Sequence, residues 1–107
     1  MTEKYDKKLL GFDEILAERV KLWESIIKDS NFSDGIKDKF LSVVRTRFGK
    51  GMPTNELIDD WIYFSISQLL VVIDEVAREE GASRGDLMSL FENLRDDIWL
   101  FYKEINK

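Results

Sequence analysis

Apolar residues recur along the chain at helical spacing, and no segment sustains the alternation of a strand. Tyr5, Leu9, Phe12, Leu16, Val20, Trp23 and Ile27 follow one another at steps of three or four, the stripe of one long helix. Gly11 lies inside that stripe and costs ~1 kcal/mol relative to alanine, so a break there is the alternative. Ile36, Phe40, Val43, Val44 and Phe48 define a second helix, with Ser33 as N-cap and Gly49, Gly51 and Pro53 as its stop. Thr54 is expected to cap a third helix that continues to about Glu80, before Gly81. Ser83-Arg84-Gly85-Asp86 has the form of a capping box. The fourth helix behind it carries Leu87, Phe91, Leu94, Ile98, Phe101 and Ile105 at the spacing of bundle packing.

Short links make successive helices antiparallel, which predicts an all-α, up-down-up-down four-helix bundle in a single domain, residues 1–107. The second helix is about three turns shorter than its neighbours, at 1.5 Å per residue. The segment Gly49 to Asn55 must cover the remaining drop, so three helices and a loop close one end of the bundle. Eight of the thirteen aromatic residues gather at that end: Tyr5, Phe12, Trp61, Tyr63, Phe64, Trp99, Phe101 and Tyr102. Two outcomes are open. Either the loop folds over them, with Met52 plugging the gap, or the rings form an exposed surface that recruits a partner. The third helix favours exposure, because ten of the thirteen residues from Trp61 to Ile73 are apolar. Every helix of such a bundle keeps an outward face, so Tyr63, Leu70 and Val71, or a nearby set, would face water. Trp99, Leu100 and Tyr102 likewise stand beside the core stripe of the fourth helix. Tyrosine and tryptophan suit interfaces because they bury a large area while keeping a polar tip.

Composition narrows the chemistry. The chain lacks cysteine and histidine, which removes disulfides, thiolate nucleophiles, zinc–thiolate sites and the commonest general base. Charged residues make up 35%, and the net charge is −5. Residues 1–53 balance at +2 and residues 54–107 at −7, so the second half presents an acidic face. Its carboxylates away from the core stripes are Asp60, Glu75, Glu92, Asp96 and Asp97, an array that would steer basic partners. The Lys-rich start carries no apolar segment of a signal peptide, and no window is free enough of charge to span a bilayer. A cytoplasmic setting without membrane contact is the resulting expectation.

Two motifs carry candidate chemistry. The segment from Lys37 to Lys50 is the most basic, and Arg45, Arg47 and Lys50 border a glycine-rich turn able to present N–H groups to phosphate. Its spacing is not that of a P-loop, and cations at a helix C-terminus also answer the helix dipole. The acidic net charge opposes nucleic acid at long range. Glu56 and Asp59 stand one turn apart and could share a hard cation. Glu56-Leu57-Ile58-Asp59 resembles the E-x-x-D half of the paired motif of all-α nucleotide pyrophosphohydrolases of the MazG type. The resemblance implies a metal-dependent nucleotide hydrolase, but the E-x-x-E half occurs nowhere in this chain. The E-x-x-H of four-helix di-iron proteins is excluded by the absence of histidine. The expectation is therefore a non-catalytic interaction protein, without cofactor, acting through its aromatic surface and acidic face as a homodimer. A carboxylate–metal hydrolase at Glu56 and Asp59 and a nucleic-acid-associated subunit using residues 37–50 are the alternatives.

Overall fold

The computed structural model describes the backbone of residues 2–106 and the side chains of residues 11–106. Four helices run in order: α1 Thr2–Lys28, α2 Asp34–Phe48, α3 Ile58–Glu79 and α4 Arg84–Ile105. Each packs on its two neighbours in a ring, and among the described residues the backbones of diagonal helices do not approach one another. Contacting pairs give the directions. Glu24 meets Arg45 while Lys28 meets Lys37, and Asp59 meets Tyr102 while Asp74 meets Arg84. Residue numbers rise on one helix as they fall on the next, so the bundle is up-down-up-down.

Local signals set most boundaries. Ser33 caps α2 by accepting a hydrogen bond from the Ile36 N–H, and Ser83 caps α4 through the Asp86 N–H. α1 passes through Gly11 without a break. Gly81, at φ +65°, supplies the left-handed turn that α3 needs to stop. The start of α3 departs from expectation. Thr54 is not its cap; the helix begins at Ile58, with Leu57 at the cap position and no side-chain bond there. The link must descend beside α1 where α2 gives out, and Glu56 within it is drawn to Arg47. Asp59 and Asp60 in the first turn answer the helix dipole instead of a cap.

The core runs the length of the ring, from Leu87, Ile27 and Ile36 at one end to Trp61 and Phe101 at the other. Met52 and Ile58 of the link and its junction pack half-buried against it, together with Phe12. The gap left by the short α2 is thus closed by the link. No helix among the described residues is long and apolar enough to cross a membrane.

Candidate interaction surface

The aromatic end divides into an inner and an outer set. Trp61 and Phe101 are fully buried, which corrects their assignment to an exposed surface. Their phase explains it: Trp61 lies on the α3 stripe that continues through Ser65, Leu69 and Val72, and Phe101 on that of Leu94 and Ile98. Phe12 is half-buried and tilts against both, at centroid distances of 6.4 and 6.0 Å. Trp23 and Phe48 complete the inner set, 4.8 Å apart edge to face. Edge-to-face contacts of this kind add to the area buried by each ring.

Both buried indoles spend their one donor. Trp61 Nε1 donates to the Arg47 carbonyl at 2.7 Å, and Trp23 Nε1 donates to Asp97 Oδ2 at 2.6 Å. Arg19 donates to the other oxygen of Asp97 at 2.8 Å and to Glu104 at 3.1 Å. Asp97 therefore leaves the set of steering carboxylates and becomes an anchor of the core.

Arg47 likewise turns inward, with its side chain 16% exposed. It donates to Ser65 Oγ at 3.1 Å, to Glu56 at 3.1 Å and to the Trp61 carbonyl at 3.4 Å. Ser65, the one fully buried polar residue among those described, donates in turn to the Trp61 carbonyl. This network fastens the end of α2 to the start of α3 and consumes the guanidinium that a phosphate would need. Arg45 is bound to Glu24 by two nitrogens, at 2.8 and 3.2 Å. Lys50 stays exposed beside a cleft of about 470 Å³ that also borders Asp13 and Glu24. The three basic residues do not converge.

Glu56 and Asp59 are separated in the same way. Glu56 faces Arg47, whereas Asp59 accepts a short hydrogen bond from the Tyr102 hydroxyl. No three acidic side chains among the described residues come together as a metal-binding group. The hydrogen bond to Asp59, with burial and the charge of that carboxylate adding to it, raises the Tyr102 phenol above its ordinary value.

The outer set lies outward on α3 and along the α3–α4 groove on α4, where Trp99 and Tyr102 also pack against the edge of the core. Tyr63 and Phe64 are 62% and 59% exposed, and Leu70 and Val71 are 43% and 62% exposed. Trp99 and Tyr102 are half-buried in the α3–α4 groove, where Trp99 meets Tyr63 at 5.6 Å and Tyr102 at 5.3 Å, each edge to face. Leu100 extends the patch across α4. The Tyr5 side chain lies outside the described residues. Of the acidic face, Asp60 and Glu92 are exposed, Asp96 pairs with the adjacent Arg95, and Glu75 turns to Lys39.

Sequence reasoning missed the Arg47–Ser65–Trp61 network. Ser65 carried a signal, as a polar residue on the buried stripe of α3, but its partner is eighteen positions away. Comparison with family models, with characterised proteins and with solved structures returns no match.

Proposed function

We propose that this chain is a non-catalytic protein–protein interaction module, an adaptor, inhibitor or assembly subunit, that acts as a homodimer through the outer surface of α3 and α4. One observation carries the reading: four large apolar side chains of a single helix, Tyr63 and Phe64 in one turn and Leu70 and Val71 two turns further on, face water. Single apolar residues on a surface are ordinary, but two such pairs on one helix face, with Trp99 and Leu100 beside them on α4, mark a contact site. Tyr63, Trp99 and Tyr102 at its edge have the composition of interface anchors. A cytoplasmic setting fits a chain without cysteine.

The alternatives draw less support from the geometry. A metal hydrolase would need Glu56 and Asp59 together, and each has a different partner. A phosphate site would need Arg47, which is committed to the core.

Light scattering on the wild type and on Phe64→Ser and Val71→Ser variants tests the reading. The wild type should be dimeric at tens of micromolar and the variants monomeric, with thermal melts close to the wild type. A monomeric wild type would overturn the homodimer. A dimer indifferent to both substitutions would overturn the choice of surface.

A further inference from the structure

The outer face of α3 has an internal symmetry about Ser67. Phe64 and Leu70 lie three residues to either side, Tyr63 and Val71 four, and Asp60 and Asp74 seven. All seven positions are exposed. A two-fold axis beside Ser67 therefore brings Tyr63 against the partner's Leu70 and Phe64 against the partner's Val71. Each contact pairs a ring with a smaller aliphatic side chain, and the small serine sits where the helices cross. An isologous dimer requires this kind of self-complementarity.

The charges at the two ends of the row fix the direction. The start of α3 is acidic, with Asp59 and Asp60 in its first turn, and Asp60 has no ion pair among the described residues. At the far end Asp74 lies between Arg84 at 2.7 Å and Arg78 at 3.9 Å, so in this cluster one carboxylate faces two guanidinium groups, of which Arg78 also acts on Glu79. Arg84 holds the Asp74 carboxyl below its ordinary value, so that cluster keeps its composition across the neutral range. Glu75 and Glu79 are turned aside to Lys39, and Glu80 reaches toward Gly35. Arg78 leans back toward the helix N-terminus, over Asp74, as long helical side chains do. Across an antiparallel crossing it reaches the partner's Asp60. A parallel pairing would set Asp60 against the partner's Asp60 instead.

We propose that two copies of this chain pair through antiparallel α3 helices about a two-fold axis at Ser67, with Arg78 of each copy on the partner's Asp60. The arrangement rests on the interaction-module reading above and specifies its dimer.

The native chain has no cysteine, so Ser67→Cys introduces a single thiol. Helix axes 8–10 Å apart put facing Cα atoms at the crossing ~4–5 Å from each other, within reach of a disulfide. Mild oxidation should convert most of this variant to a covalent dimer, whereas Tyr102→Cys, off the axis, should cross-link far less. Asp60→Arg and Arg78→Asp should each weaken self-association at least tenfold, with helicity by circular dichroism unchanged. Mixing the two variants should restore a heterodimer, because both charge pairs are then opposite in sign. A wild-type dimer in which Ser67→Cys fails to cross-link and the mixture stays dissociated overturns this geometry and leaves the module reading standing. A wild type that stays monomeric overturns both.

Discussion

Two groups of aromatic residues occupy the same end of this bundle and have opposite environments. Phe12, Trp23, Phe48, Trp61 and Phe101 interlock inside the ring of helices. Tyr63 and Phe64 face water on the outer side of α3, and Trp99 and Tyr102 line the α3–α4 groove beside them. The inner rings are phenylalanines and indoles whose N–H groups reach Asp97 and a backbone carbonyl. In the outer group, two of four residues carry a hydroxyl, and Tyr102 uses its own to hold Asp59 on the rim of the patch. Phase within the helix, and not proximity to the bundle end, decides which group a residue joins. Trp61 and Tyr63 are only two residues apart, yet one is enclosed and the other faces water. The first group lies in the core; in the second, Tyr63 and Phe64 face water while Trp99 and Tyr102 also pack at the edge of the core.

The comparison breaks first if an inner ring proves dispensable. Trp61→Ala removes a fully enclosed indole and should destabilise the fold by about 3–5 kcal/mol. That is a large share of the ~5–15 kcal/mol typical of whole domains. A denaturant titration measures it, and a loss below ~1 kcal/mol would remove the distinction between the groups. Arg47→Met tests the polar seam behind that indole. It leaves the buried Ser65 and the half-buried Glu56 without their donor and should cost about 1–3 kcal/mol in the same assay. A neutral result would reduce the seam to packing alone.

The outer group should answer differently. Phe64→Ser should leave chemical stability of the monomer within about 1 kcal/mol and weaken self-association by ~2 kcal/mol, the behaviour of an interface anchor. A stability loss as large as that of Trp61→Ala would place Phe64 with the inner group. Only one of the outer hydroxyls is tested by pH. The Tyr102 phenol is raised above its ordinary 10.0 by the bond to Asp59. A raised value in the folded state means the contribution of that bond is full below about pH 10 and is lost as pH rises through the folded value. Ultraviolet titration of Asp59→Asn should therefore show phenolate forming earlier than in the wild type. Coincident curves would mean that the bond does not persist in solution.

Much of this arrangement was legible along the chain. Ser33 and Ser83 declared two helix starts because serine oxygens satisfy N–H groups within their own turn. The apolar run from Trp61 to Ile73 declared that α3 would carry more hydrophobic surface than one core can absorb. Position along the bundle, however, does not separate rings that differ in angular position, and only helical phase distinguishes Trp61 and Phe101 from Tyr63 and Trp99. The fate of Arg47 and Asp97 depended on pairings across helices, with Ser65 and Trp23, that no local spacing announces. The later start of α3 had the same origin, since Glu56 is held by a residue of the preceding helix.

The central claim is that the outer group exists for contact between chains. Sedimentation velocity of the wild type from about 1 to 100 µM addresses it most directly. The account predicts a reversible shift from a species of 12.6 kDa toward one of twice that mass as concentration rises. A single 12.6 kDa species across the whole range would contradict it.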